Sequence, residues 1–249
     1  MIQVSHISKA FSGRQILLDI NAAFEPGKTH LIIGQSGSGK TVLMKCLVGL
    51  LEVDEGEIIY GGRAFSKMTQ KQRKAIRKEM GMLFQGGALF DSMNVEENVR
   101  FPLLMYANQT KREMQQRVDF CLERVDLRDA HHLMPSELSG GMVKRVAIAR
   151  AIALNPGYLF CDEPNSGLDP QTAQLIDSLI AEITHEYNMI TVINTHDMNS
   201  VLEIGEAISF IHKGHLWWHG DKNTVLHTDN VELNEFVFST ALTTRLKKN

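Results

Sequence analysis

With 249 residues, 43 % hydrophobic and 22 % charged, the chain has an ordinary globular makeup, with ample core for one large domain or two small ones. Its formal net charge of −3 argues against broad phosphate neutralisation, so no nucleic-acid partner is expected. No basic region leads into an apolar leader, and no apolar run approaches the ~18 residues of a spanning helix. Cys46, Cys121 and Cys161 lie in apolar segments, which predicts buried, reduced thiols in a soluble, cytoplasmic protein.

Residues 1–30 alternate short apolar runs with turns, which predicts strands at 3–7 and 16–20 and a turn at Glu25-Pro26-Gly27. Phe11 sits at the tip of one turn, where an aromatic either stacks on a ligand ring or fills core; its position alone does not choose.

The stretch Leu31-Ile32-Ile33-Gly34-Gln35-Ser36-Gly37-Ser38-Gly39-Lys40-Thr41 follows. It is an apolar strand running into G-x-x-x-x-G-K-T, with a helical run over 42–51 opening on Val42. This is a phosphate-binding loop in the setting that gives the motif meaning. The glycines let the backbone turn its N–H groups inward, and the helix start offers further unpaired N–H groups and a positive dipole end. In such a loop Lys40 reaches the β and γ phosphates and the Thr41 hydroxyl ligates Mg²⁺. A mere Gly/Ser turn capping a helix would not need the strand before it and the Lys-Thr after it. The chain is therefore expected to bind a nucleoside triphosphate.

The helix over 42–51 is apolar nearly all round, as a buried central helix of a layered α/β domain would be. Residues 54–62 read as turn, strand and turn. Lys67, Lys71, Arg73, Lys74, Arg77 and Lys78 form a basic cluster interrupted by Glu79, which reads as a solvated helix face rather than a surface for nucleic acid or anionic lipid. Residues 92–135 turn helical. Thr110-Lys111-Arg112-Glu113 is a capping box, and Met114, Val118, Cys121, Leu122 and Val125 behind it share one face. His131 and His132 have no accompanying Cys or carboxylate pattern and read as surface residues.

The α/β pattern then returns. A strand at 158–161 is followed by Asp169-Pro170 as N-cap and first helical turn, then by the helical face Ile176, Leu179, Ile180 and Ile183. Strands at 189–194 and 207–211 precede a hairpin about Gly214, whose Trp217 and Trp218 read as packing residues.

Two more stretches carry chemistry. Tyr158-Leu159-Phe160-Cys161-Asp162-Glu163 is an apolar strand ending in Asp162, placed to hold Mg²⁺ through water, and Glu163, placed to polarise the attacking water. Leu138-Ser139-Gly140-Gly141-Met142 opens a helix and forms a second anion site of the same physical kind. Two phosphate sites so far apart in sequence serve one nucleotide if two copies pair head to tail.

Taken together, these motifs resemble those of the ATP-binding subunits of ABC transporters, over essentially the whole chain. They stand in family order: GQSGSGKT at 34–41, Gln85, LSGGM at 138–142, CDEP at 161–164, SGLD at 166–169, and His196 after a strand. The resemblance implies an α/β fold, a P-loop NTPase core with a parallel sheet, an N-terminal antiparallel β subdomain and a helical signature subdomain. The expected divisions are 1–91 and 156–224 for the core with its β arm, 92–155 for the helical part and 225–249 for a tail. It implies ATP and Mg²⁺, with Phe11 stacked on adenine and residues Gly34 to Val42 around the phosphates. Gln85 would contact Mg²⁺ and water and report to a membrane partner. Ser139, Gly140 and Gly141 would meet the γ-phosphate across a dimer. Asp169 would belong to the loop joining the two sites, and His196 would be the switch residue at the γ-phosphate. Lys40, Glu163 and His196 are then the catalytic set, and Thr41, Gln85 and Asp162 the metal set. The expected partners are a second copy and an integral-membrane permease at the cytoplasmic face of the inner membrane.

Phe84-Gln85-Gly86-Gly87-Ala88-Leu89-Phe90-Asp91-Ser92-Met93, with Glu96, Asn98, Val99, Phe101-Pro102-Leu103 and Met142, is similar to the Mla/Mce branch, which moves phospholipid between membranes. That likeness adds an Mce-type lipid-binding protein as an expected partner. Asn165 departs from the family, standing where Thr is commoner. The competing readings are an amino-acid or lipoprotein transporter, a soluble ABC protein acting on ribosomes or DNA, and a phosphotransferase. The soluble class normally carries two cassettes or a coiled-coil insertion; a phosphotransferase has no use for Ser139-Gly140-Gly141. The end of the chain, Arg245-Leu246-Lys247-Lys248, is expected to be solvated and frayed rather than to embrace a neighbouring subunit or approach anionic lipid.

Overall fold

The computed structural model describes residues 1–238, so the basic end of the tail lies outside the described residues. Inward-facing apolar residues alternate along β1 (Ile2–Phe11) and β2 (Arg14–Phe24), among them Ile2, Val4, Leu17 and Ile20. Ser12 and Gly13 join the two strands with φ 48 and 81, the left-handed pair of a type I′ hairpin. Register shifts between Val4 and Ile7 and between Ile7 and Lys9 interrupt the alternation. The expected strands at 3–7 and 16–20 therefore cover only part of β1 and β2. With β4 (Glu55–Tyr60) and β5 (Arg63–Ala64) they form an antiparallel sheet, ordered β2-β1-β4-β5.

A second sheet is built from β3 (Lys28–Ile33), β6 (Met80–Leu83), β7 (Tyr158–Asp162), β8 (Ile190–Asn194), β9 (Ala207–His212) and β10 (His215–Gly220). Its order is β10-β9-β3-β8-β7-β6, parallel apart from the terminal β9–β10 hairpin. The central strands are apolar on both faces because both faces are covered. Leu31, Ile33, Leu159, Cys161 and Ile193 pack in one core, while Ile32, Phe160, Ile190 and Val192 pack in the other. The second core lies between the two sheets and encloses α1 (Lys40–Leu47) through Leu43, Met44 and Leu47.

On the opposite face α3 (Val95–Tyr106), α4 (Lys111–Arg124) and α5 (Gly140–Ile152) pack on one another. The Thr110–Glu113 capping box is present, and Met114, Val118, Cys121, Leu122 and Val125 are all buried. Helices α6 (Pro170–Glu186), α7 (Met198–Ile204) and α8 (Val231–Val237) complete the layer. No helix among the described residues is long and apolar enough to cross a membrane.

Three sequence expectations need correction. The helix after the loop is not apolar to its end: α1 closes on Gly49, with φ 72, and leaves Leu50 exposed. The basic cluster is not wholly solvated. In α2 (Gln70–Arg77) the guanidinium of Arg73 is buried and donates to the carbonyls of Phe65 (3.2 Å) and Ser66 (2.8 Å), and Arg77 donates to Gly49 O at 2.7 Å. These arginines close carbonyls that the turns around them leave open. Trp218 packs on the core, but Trp217 is exposed and donates from Nε1 to Glu232 at 3.1 Å.

Candidate nucleotide site

The loop between β3 and α1 is dictated by close approach. A Cβ on Gly34 would fall 2.3 Å from the carbonyl oxygen of Ile211, and one on Gly39, with φ 114, 2.9 Å from Leu17 Cδ2. Gly39 is also the N-cap of α1 and supplies no side-chain acceptor, so the first N–H groups of that helix remain available to an anion. Lys40 is buried beside them; its Nζ donates to the carbonyls of Gly34 (2.7 Å) and Gln35 (3.1 Å). Burial pulls its pKa below the usual lysine value, with the charges of Glu163 and Asp162 opposing the shift.

The carboxylates come from the end of β7, and the parallel register sets Asp162 opposite Asn194 of β8. Asn194 Nδ2 donates to Asp162 Oδ1 at 2.9 Å and to Thr41 Oγ1 at 3.3 Å, joining the end of β7 to the start of α1. Glu163 adopts φ 50, with its N–H bonded to the Asn194 carbonyl at 2.9 Å. Its Oε1 lies 2.7 Å from His196 Nδ1. Gln85 donates from Nε2 to Ser166 Oγ at 3.2 Å, and its carbonyl accepts from the buried Lys144 of α5. Arg150 of the same helix donates to the carbonyls of Gly87 (2.7 Å) and Ala88 (2.8 Å).

A cleft of about 590 Å³ unites Phe11, Ser36, Gly37, Gly39, Lys40, Thr41, Val42, Gln85, Asp162, Glu163 and His196. Phe11 is exposed there and is not core filling. Gly34, Gln35 and Ser38 do not line the cleft; the first two support Lys40, and Ser38 is buried behind the loop. Ser139, Gly140, Gly141 and Asp169 stand apart from it. Ser139 caps α5, accepting from Met142 N at 3.3 Å, and Asp169 caps α6, accepting from Thr172 N at 3.0 Å. A Cβ on Gly141 would lie 2.7 Å from Thr172 Cγ2, so the glycine lets these two helix starts lie side by side.

Sequence reasoning missed Arg14 and Ile16, which also line the cleft, and Asn194. Their signals were an arginine opposite Phe11 in a hairpin and one amide at the end of an apolar strand. The residues expected from sequence to hold a metal are Thr41, Asp162 and Gln85, and each offers an oxygen to an ion: the Thr41 hydroxyl, the Asp162 carboxylate and the Gln85 side-chain carbonyl. Among the described residues no group of three His, Cys, Asp or Glu could hold a metal by itself. Few protein oxygens beside a phosphate site suit Mg²⁺, which shares its coordination with water and phosphate.

The family model described as "ABC transporter" matches residues 17–166. The chain belongs to the ABC transporter family. This ABC protein is accordingly an ATP-binding ATPase. It is 38 % identical to the methionine import ATP-binding protein MetN of Clostridium acetobutylicum, over 95 % of this chain and 74 % of that one. It is 36 % identical to the intermembrane phospholipid transport ATP-binding protein MlaF of Haemophilus influenzae, over 95 % of this chain and 90 % of that one. Among solved structures, the dimeric ATP-binding cassette MJ0796 bound to ADP and Pi superposes on the ABC protein with a TM-score of 0.80. It is 29 % identical, over 89 % of this chain and 99 % of that one. The α/β class, the parallel sheet and the antiparallel β subdomain expected from sequence are all present in the ABC protein.

Proposed function

We propose that this cassette is the ATP-hydrolysing subunit of a membrane transporter for phospholipid, working as a head-to-tail dimer with two shared Mg·ATP sites. The observation that carries the dimer is the split of the site residues. The cleft holds Lys40, both carboxylates and His196, while the helix start at Ser139 stands outside it. A second copy would bring its own Ser139, Gly140 and Gly141 over the γ-phosphate, and Asp169 would lie where the two copies meet.

In this reading Phe11 stacks on adenine and the N–H groups of residues 34–42 wrap the phosphates. Two of the three Lys40 protons go to loop carbonyls, leaving one for the β and γ oxygens. Glu163 takes the proton of the attacking water, and His196 holds the carboxylate in line while facing the γ-phosphate. Thr41, Asp162 and Gln85 would hold Mg²⁺, which when bound neutralises charge on the phosphate oxygens. The preorganised donors meet the charge that develops in the transition state. A permease at the cytoplasmic face of the inner membrane would feel this cycle through the Gln85 loop.

Phospholipid as cargo is supported by the stretch from Phe84 to Leu103 and by the similarity to the phospholipid transport ATPase. An Mce-type lipid-binding protein is the third partner proposed. The test is to reconstitute the cassette in liposomes with the permease that co-purifies with it and supply fluorescent phospholipid or labelled methionine. ATP-dependent movement of the lipid alone is expected; methionine uptake would overturn the cargo and leave the ATPase reading standing.

A further inference from the structure

Asn194 ends a strand whose other side chains need no polar neighbour from the site. Ile190, Val192 and Ile193 are buried among apolar residues, and the Thr191 hydroxyl is paired with Thr184 at 2.6 Å. Asn194 is 1 % exposed, yet its Oδ1 has no hydrogen-bond partner. The amide cannot be turned over to relieve this, because Oδ1 would then face the Asp162 carboxylate, acceptor against acceptor. A buried acceptor without a donor is destabilising, and a valine would continue the apolar strand without that penalty.

We propose that Asn194 is a positioning residue for the metal side of this site. Its N–H protons fix the Asp162 carboxylate and the Thr41 hydroxyl, and the cost of its buried, unpaired Oδ1 is borne for that positioning. The inference rests on the reading of Thr41 and Asp162 as metal residues. Each of those oxygens has a lone pair committed to Asn194 and another left for the ion or its water. Metal sites commonly depend on such supporting hydrogen bonds, which orient the ligands without touching the ion. The same residue bonds Glu163 N through its carbonyl, so metal and water-activating groups share one support.

The test uses the full chain and two substitutions alike in shape, N194V without a hydroxyl and N194T with one. ATP affinity is measured calorimetrically in EDTA and in Mg²⁺, and the ratio of the two affinities is the readout. We expect N194V to shrink that ratio by about tenfold, N194T to recover most of it, and affinity in EDTA to stay within about twofold of the parent. The melting midpoint of N194V without nucleotide should equal or exceed the parent's. An unchanged ratio in N194V, or an equal loss in EDTA and Mg²⁺, overturns the proposal. T41A is the control: if it lowers the ratio and N194V does not, only the role of Asn194 falls. If neither does, the metal reading of the site falls and this inference with it.

Discussion

His196 Nδ1 lies 2.7 Å from Glu163 Oε1, although the two residues are 33 positions apart. The imidazole is largely exposed and the carboxylate largely shielded. The left-handed backbone of Glu163, at φ 50, turns its side chain into the cleft, a conformation that a non-glycine residue holds at a cost. E163Q keeps the size and a hydrogen bond but loses the base. Its ATP affinity should stay within about threefold of the parent while turnover falls by ~10²–10⁴, and ATP should trap a dimer visible by light scattering. H196A should also lower turnover. Hydrolysis by E163Q at the parental rate would remove Glu163 from its role.

Phe11 presents an exposed ring at a tight two-residue turn. F11A should weaken ATP binding by about tenfold, the worth of one aromatic stacking contact, and leave the affinity for inorganic triphosphate unchanged. F11W should bind as well as the parent. Equal losses for ATP and triphosphate would mean that the ring supports the loop and not the base.

Asn98 is fully buried and holds the segment after Gln85. It accepts from Phe90 N at 2.8 Å and donates to the carbonyls of Phe90 (3.2 Å), Met93 (3.0 Å) and Asn94 (3.0 Å). N98A should cost about 2–4 kcal/mol in urea denaturation, because it leaves buried backbone groups without partners. Proteolysis within 86–93 should quicken in the same variant.

Burial pushes the carboxyl of Asp177 up to about 6; the charges of Asp197 and Glu203 add to the rise, and hydrogen bonds from Ser200 and Asn165 oppose it. Its Oδ1 has no partner. Because the folded protein holds this proton more tightly than the unfolded chain, the group becomes destabilising as pH rises from about 4 through about 6. The penalty reaches roughly 3 kcal/mol above that window. D177N should therefore raise the melting midpoint at about pH 8 and change it little at about pH 4.5. The same shift at both pH values would show that charge is not the cause.

Local signals were legible in the sequence. The phosphate loop, the capping box at Thr110 and the Asp169 cap each depend on residues within a few positions, and each stands where its pattern put it. What was not legible depends on strand order. Asn194 bonds Thr41 only because β8 lies between β3 and β7, an arrangement no short window encodes. Arg73 and Arg77 share their spacing with solvated lysines, and only the turns at Gly49 and Ser66 reveal them as carbonyl donors. Asn165, which read as a departure with no chemistry, is buried and spans α6 and α7 by donating to Asp177 (3.1 Å) and Ser200 (2.8 Å).

Helix α5 is pinned at Lys144 and Arg150 to the carbonyls of Gln85, Gly87 and Ala88, and its N-terminal end carries Ser139 beside the start of α6. Thirteen residues make a rod of about 20 Å, too short and too well packed to bend. Under the proposed function, a shift of the Gln85 segment would be passed along this rod to Ser139. In the proposed dimer, that rod would couple a membrane partner at the Gln85 segment to the seam between two copies, and Gln85, which also lines the cleft, would tie the same segment to the nucleotide.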